Sequence, residues 1–191
     1  MLEKHLKRQN DILRSMIQKI VTVKNPVLRQ KSKSVVEFDK KIGAIIQDLK
    51  DTLIIQKDPI GVGLAAPQIG KNLQMFAIKP KDKISIIINP QIVYLEDTKT
   101  KDKEDEEDIK LMEGCLSLPN FYGPLTRPPV IKINYLDEKG EKKTAVFEKF
   151  DAQIIQHEID HLNGILFIDR LIEQKRSLYE LVGDEWEKVE I

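Results

Sequence analysis

Two of the three histidines of the chain, His157 and His161, stand four residues apart in the segment HEIDH. On a helix this spacing places both imidazoles on one face, close enough to bind one metal ion. Glu158 lies about 100° round the helix from His157, beside any water that the metal binds. These residue types at this spacing predict metal-assisted hydrolysis, in which the metal lowers the pKa of a water to about 7 and the glutamate takes and returns its proton.

A catalytic metal of this kind needs a third protein ligand and one open coordination position. A pattern that takes a third histidine from position 167 is excluded, because that residue is Phe167. Two candidates remain: Glu180, on a following segment as in thermolysin-like zinc peptidases, and Cys115, in the segment LMEGCLSLPN. Gly114 favours the cysteine, since it permits close backbone approach to a ligand beside the thiol. A lone buried cysteine is often only a small apolar residue, so both candidates stay open at this point.

The segment GVGLAAPQIG, residues 61–70, is too rich in small residues for a helix. It lacks the lysine and serine of a phosphate-binding loop, so it does not predict a nucleotide site. It can place an open backbone edge beside a ligand and hold the carboxamide of Gln68 at a fixed point. Taken alone, such a segment is more often a tight structural turn.

Hydrophobic periodicity predicts the helices that position these side chains. Apolar residues keep helical spacing from Ile42 to Leu53, with Asp39 at the N-cap. The histidine segment predicts a second helix that ends near Gly164. The segment DRLIEQKRSLYELV predicts a third helix, so we expect a C-terminal helical tail over residues 172–191.

Short β-branched segments predict the strands. NLQMFAI and ISIIINPQIV are bounded by proline or charge, and VIKINYLDEKGEKKTAVFEKF predicts a hairpin with its turn at residues 137–140. The order of helix, several strands and helix predicts an α+β fold. In this fold, mainly antiparallel β-sheets pack around a central metal-binding helix, with N-terminal and C-terminal helices.

The charge of the chain is balanced overall but unevenly distributed. Lysine plus arginine and aspartate plus glutamate each number 31, so no net field predicts binding to DNA or to a membrane. Residues 1–19 predict a basic helical extension, whereas residues 96–110 are net acidic and predict a solvated loop insert. No apolar run reaches the roughly 18 residues of a membrane span.

One cysteine and no apolar signal core predict an unexported, cytoplasmic protein. An organelle presequence at the N-terminus is the alternative. Glu3, Asp11 and the scarcity of serine disfavour it.

The segments GVGLAAPQ, EGCLS and HEIDHLNG, in this order, resemble the three motifs of the peptide deformylases. The resemblance extends from about Ile20 to Leu171, which predicts a catalytic domain over residues 20–171 with the acidic insert at 96–110. It implies a hydrolase that removes the N-formyl group from the initiator methionine of newly made polypeptides and releases formate. The implied partners are N-formylmethionyl nascent peptides and, transiently, the ribosome.

The resemblance also implies a role for each residue that matches a motif. Cys115, His157 and His161 would bind one divalent ion, natively Fe²⁺, with Zn²⁺, Ni²⁺ or Co²⁺ able to replace it. Glu158 would act as general base and then as general acid. The remaining implied roles are oxyanion stabilisation by the side chain of Gln68 and the backbone N–H of Leu116, and substrate binding by Val62, Gly63, Leu64, Gly114 and Ile154.

Two other functions are alternatives to peptide deformylation. A thermolysin-like zinc peptidase would use Glu180 as third ligand and leave GVGLAAPQ without a role. A catalytically inactive relative would bind nascent chains or ribosomes through the basic N-terminus.

We also expect Glu113 and Arg127 to form an ion pair behind the metal.

Overall fold

The computed structural model describes residues 17–80, 83–96 and 112–190. The predicted basic extension lies outside the described residues as far as residue 16, and residues 17–19 form no helix. The predicted acidic insert lies outside them from residue 97 onwards. Among the described residues, no helix is long and apolar enough to cross a membrane.

Three α-helices and nine strands make up the described part of the chain. The α-helices are α1 (Lys40–Ile54), α2 (Lys149–Leu162) and α3 (Phe167–Glu173). Single 3₁₀ turns span Pro26–Arg29 and Ala66–Ile69. The strands are β1 (Gly63–Ala65), β2 (Met75–Ile78), β3 (Ser85–Leu95), β4 (Met112–Cys115), β5 (Leu118–Pro124), β6 (Val130–Leu136), β7 (Lys142–Glu148), β8 (Leu178–Val182) and β9 (Glu185–Val189).

The strands form two sheets in which all neighbours are antiparallel. One sheet has the order β1-β2-β3-β6-β7 and the other has the order β4-β5-β8-β9. The histidine helix α2 contacts β1, β2, β6 and β7 of the larger sheet. The predicted α+β class, with antiparallel sheets around a central helix, is therefore confirmed.

Strand β2 shows how the two long helices enclose the larger sheet. Its residues alternate in direction, so Met75 and Ala77 pack into the cluster that contains the buried face of α1. Phe76 and Ile78 pack on the other side, into the cluster that contains Ile155 of α2. A strand covered on both faces is apolar at every position, which explains the continuous apolar run MFAI.

The predicted first helix is confirmed, including its cap. The side chain of Asp39 accepts a hydrogen bond from the backbone N–H of Ile42 at 2.8 Å. This bond satisfies one of the amides that a helix N-terminus leaves without an intrahelical partner. The predicted strands around Met75–Ile78 and Ser85–Leu95 and the predicted β6–β7 hairpin are also present.

The predicted C-terminal helical tail over residues 172–191 is wrong. The third helix begins at Phe167 and ends at Glu173, and the following residues form the β8–β9 hairpin. Gly183 adopts φ 64° in its turn, a conformation that favours glycine. Strand β8 pairs with β5, so the edge of the smaller sheet gains a partner that a helix would not supply. Tertiary pairing thus overrides the local helical periodicity.

We predict that Gly164→Ala destabilises the protein. Gly164 ends α2 at φ +75°, and an added Cβ would lie 2.7 Å from the backbone oxygen of Arg29. Strain of this kind costs about 1 to 3 kcal/mol. The matched control is Gly43→Ala within α1, where nothing lies within 4 Å, so the change should stabilise by about 0.5 to 1 kcal/mol. Urea unfolding measures both, and shifts of the same sign would contradict this account of Gly164.

Candidate active site

Helix α2 brings the two histidines and the glutamate together in the protein interior. The rings of His157 and His161 meet edge-on with centroids 4.9 Å apart. Glu158 is 3% exposed and lines a cleft beside them. The helix continues to Leu162 because Gly164 closes it in the left-handed conformation, so both histidines lie within regular helix.

Cys115 completes a group of three metal-ligating side chains. It ends β4, and its Sγ lies 3.2 Å from Nε2 of His161. One ligand atom each from Cys115, His157 and His161 lie within 4.8 Å of one another. Glu180 is absent from this group among the described residues and lies in the middle of β8. The fold therefore favours Cys115 over Glu180 as the third candidate ligand, and the thermolysin-like zinc peptidase is not favoured.

The three residues fit a divalent ion. Nδ1 of His157 is 2.7 Å from Oε1 of Glu113, which leaves its Nε2 for an ion. Such a carboxylate partner on the second nitrogen is the usual support of a metal-binding histidine. One thiolate and two imidazoles form a donor set that Fe²⁺ and Zn²⁺ both accept, with a fourth position left open.

Mutual electrostatics prepare the thiol and the imidazole for this role. Burial by itself would raise the pKa of Cys115, but the charges and hydrogen bonds of His161 and His157 hold that pKa well below its usual range. Burial would lower the pKa of His157, but Glu113 and Cys115 raise it well above its usual range. Since a metal ligand must be deprotonated, an ion bound at this site would displace the proton from His157.

Glu158 is a buried carboxyl group next to the candidate metal ligands. Burial raises its pKa to about 7, and its Oε2 has no hydrogen-bond partner among the described residues. A Cβ added to Gly63 would lie 2.2 Å from Oε1 of Glu158. The backbone of the glycine-rich motif at Gly63 thus lies against the carboxylate of Glu158, because only glycine has no Cβ to occupy this space.

A buried ionic network holds the histidine helix to β4. Arg127 donates two hydrogen bonds of 2.7 Å to the carboxylate of Glu113, as the sequence predicts, and one of 2.9 Å to Asp160. The hydrogen bond from Arg127, together with His157, keeps the pKa of Glu113 well below its usual range despite burial. Asp160 also accepts from Arg170 of α3. Sequence reasoning missed Asp160 and Arg170, although Asp160 lies inside the HEIDH motif.

The carboxamide of Gln68 is oriented by three contacts. Its Oε1 accepts from the backbone N–H of Ala65 at 2.8 Å, so its Nε2 must point the other way. Nε2 lies 3.2 Å from Oγ of Ser117 and 3.5 Å from Sγ of Cys115. The N–H donors of Gln68 therefore face the metal-ligating group. Ser117 was missed, although it ends the EGCLS motif.

The N-terminal segment joins two of the motifs through the backbone. The amide of Val21 donates to the carbonyl of Gln68 at 2.8 Å, and the amide of Val23 donates to the carbonyl of Ser117 at 3.0 Å. These bonds fix the separation between the Gln68 turn and the β4–β5 turn.

A cleft of about 370 Å³ opens over Cys115, His157 and Glu158. This volume suits a small ligand or the end of a peptide. Six of the predicted substrate-contacting or oxyanion residues line it: Val62, Gly63, Gln68, Gly114, Leu116 and Ile154. Leu64 does not line it, because its side chain is fully buried between β1 and α1.

Strand β1 is an edge strand beside this cleft. Among the described residues it pairs with β2 alone, and the carbonyl of Val62 accepts from the amide of Lys79 on that side. Backbone groups of neighbouring residues alternate in direction along an antiparallel strand, so those of Gly63 face the open edge. An extended chain can add to this edge as a further strand.

A Cys/His/His group with a buried carboxylate beside it, on an α+β scaffold, defines a metal-dependent hydrolase. The sequence model of the family described as Polypeptide deformylase matches residues 17–177. The chain belongs to this family and is an enzyme that acts on formylmethionyl nascent peptides. The inactive-relative alternative is not favoured, because the Cys/His/His group and the glutamate beside it are all present.

Individual relatives agree with this assignment. The chain is 38% identical over 176 residues to the peptide deformylase of Desulfotalea psychrophila, covering 89% of this chain and 96% of the relative. Its structure is similar to that of peptide deformylase from Thermus thermophilus (TM-score 0.71, 36% identity, 83% of this chain and 88% of that one). It is also similar to the enzyme from Synechococcus elongatus in complex with actinonin (TM-score 0.70, 34% identity, 80% and 78%).

We predict that Glu113→Gln lowers metal affinity about 10- to 100-fold. The amide removes the negative charge that orients His157 and raises its basicity. Competition with a chelator for bound Zn²⁺ measures the affinity without any need for activity. The control is Glu173→Gln, which removes the same charge from the exposed end of the network, where Glu173 pairs with Arg170. Equal affinity in Glu113→Gln and the unaltered protein would contradict a supporting role for Glu113.

Proposed function

We propose that Cys115, His157 and His161 hold the single divalent ion of this deformylase and that Glu158 carries the proton of the reaction. One observation supports the proposal above all: Glu158 lines the same cleft as Cys115 and His157, and its Oε2 has no hydrogen-bond partner in the part of the chain that the structure describes. A buried carboxylate without a hydrogen-bond donor is costly, so its retention beside three ligands points to chemistry.

Glu158 and the ion have complementary tasks. A bound ion of this type lowers the pKa of a water and polarises a carbonyl oxygen. Glu158 accepts the proton of the water that attacks the formyl carbon. It then donates that proton to the amide nitrogen of methionine as the C–N bond breaks, which releases the amine and formic acid. Formic acid then loses its proton to give formate.

Gln68 and Leu116 are the proposed oxyanion donors. Because Ala65 holds Oε1 of Gln68, the amide cannot turn its acceptor towards the developing negative charge. Leu116 follows Cys115 directly and lines the cleft, which supports its backbone N–H as the second donor. Each donor of this type stabilises the transition state by about 3 to 4 kcal/mol.

The open edge of β1 is the proposed substrate track. The backbone from Val62 to Leu64 pairs with the peptide, and Gly63 supplies the outward-facing groups. Gly114 lines the same cleft and contacts the peptide through its backbone, and Ile154 of α2 lines the pocket for the methionine side chain. Since backbone hydrogen bonds carry little side-chain information, such a track accepts many following sequences.

The proposal includes the metal and the cellular setting. We propose Fe²⁺ as the native ion, with Zn²⁺, Ni²⁺ or Co²⁺ able to replace it, because a mixed thiolate and imidazole set accepts all four. A thiol ligand needs a reducing compartment, which supports a cytoplasmic location. A transient contact with ribosomal RNA through the basic N-terminal residues would be non-specific and salt-dependent.

We predict that Glu158→Ala abolishes formate release from a formyl-methionyl tripeptide while the metal content stays unchanged. Gln68→Ala should keep the metal and lower kcat about 10²- to 10³-fold, because one oxyanion donor is lost. The control is Gln47→Ala on the exposed face of α1, where the side chain of Gln47 donates a hydrogen bond to Asp51. Formate is assayed with protein loaded with Ni²⁺ or Fe²⁺ in the absence of oxygen. A metal-loaded Glu158→Ala protein with full activity would refute the assigned role.

A further inference from the structure

An aromatic pair connects the substrate cleft to the C-terminal hairpin. Tyr122 of β5 lines the cleft. Trp186 of β9 packs edge-on against it, with ring centroids 5.2 Å apart and planes at 90°. Trp186 is the only tryptophan of the chain and is 50% exposed. The proposed mechanism uses neither ring.

Strand pairing places both rings on the face of the smaller sheet that carries Gly114. Gly114 pairs with Tyr122, Tyr122 with Tyr179, and Tyr179 with Lys188. Residues paired directly across strands share a face, and so does Trp186, two residues from Lys188 on β9. The opposite face carries Leu178, which packs in one cluster with Cys115 and α3. One face of this sheet therefore supports a metal ligand while the other carries the aromatic pair.

The Tyr122 ring lies directly on the backbone beside that ligand. A Cβ added to Gly114 would lie 2.6 Å from two carbon atoms of the ring. The cleft is also apolar at Ile60 and Phe150, whose side chains line it and are exposed. Exposed apolar side chains that line a binding cleft are suited to contact with an apolar ligand.

We propose that Trp186 is a specificity-determining residue, because it holds the Tyr122 ring in position. The side chain of one of the two residues after formyl-methionine packs against this ring. The substrates favoured are formyl-methionyl peptides with an apolar or aromatic residue at one of these positions. This inference rests on the proposed substrate track along β1. An extended peptide advances about 3.3 Å per residue, so the residues that follow methionine pass the cleft mouth.

The first test compares Trp186→Ala with the unaltered enzyme on matched peptides. The peptides are formyl-Met-Leu-Ser, formyl-Met-Ala-Leu and formyl-Met-Gly-Gly. We expect KM for at least one leucine peptide to rise about three- to tenfold, with kcat and the glycine peptide little changed. Trp186→Phe should restore the leucine preference, because the edge-on contact survives. Val182→Ala, an exposed apolar residue of the same hairpin, is the control. An unchanged ratio of leucine to glycine peptides in Trp186→Ala overturns the inference, as does a greater effect on the glycine peptide.

The second test reads binding without turnover. The metal-loaded Glu158→Ala protein is titrated with the same peptides while the emission of the single tryptophan is recorded. A shift in emission with a leucine peptide, and a smaller one with formyl-Met-Gly-Gly, supports the inference; no shift with any peptide that binds overturns it. If the unaltered enzyme releases no formate from any peptide, the proposed function fails, and this titration still decides the role of Trp186.

Discussion

The structure depends on the buried contact between β4 and α2, where the carboxylate of Glu113 joins Arg127 and His157. Two buried charges of opposite sign stabilise each other only when their geometry is good and their remaining hydrogen bonds are made. Here both conditions hold, since Glu113 accepts two bonds from Arg127 and is in contact with His157. The contact fixes the position of Cys115, two residues further along β4, relative to the histidine helix. Removing Glu113 would leave Asp160 as the carboxylate partner of Arg127 and would take the carboxylate away from Nδ1 of His157.

Each of the two sheets contributes a different part of the site. The larger sheet holds α2 from one side and offers its edge strand β1 as a track for an extended chain. The smaller sheet carries Cys115 at the end of β4 and is extended by the C-terminal hairpin. The N-terminal segment ties the Gln68 turn to Ser117, so elements from both ends of the chain set distances within the site. A rigid support of this kind is what precise placement of donors requires.

The spacing of residues along the sequence predicts part of the fold and of the site, but it does not predict all of either. The HEIDH spacing predicts the histidine pair because a helix converts four residues into one face. Spacing could not choose between Cys115 and Glu180, since that choice depends on which strands meet α2. The helical prediction for the C-terminal tail failed because a strand partner for β5 outweighs weak local propensity. Asp160 and Ser117 gave no local signal, as their partners lie far away in the sequence.

The assignment of Cys115, His157 and His161 to one ion can be tested by X-ray absorption spectroscopy of the zinc-loaded protein. We expect one sulfur at about 2.3 Å and two imidazole nitrogens at about 2.0 to 2.1 Å, with the sulfur lost in Cys115→Ser. A zinc shell without sulfur, or a spectrum that Cys115→Ser leaves unchanged, would contradict it.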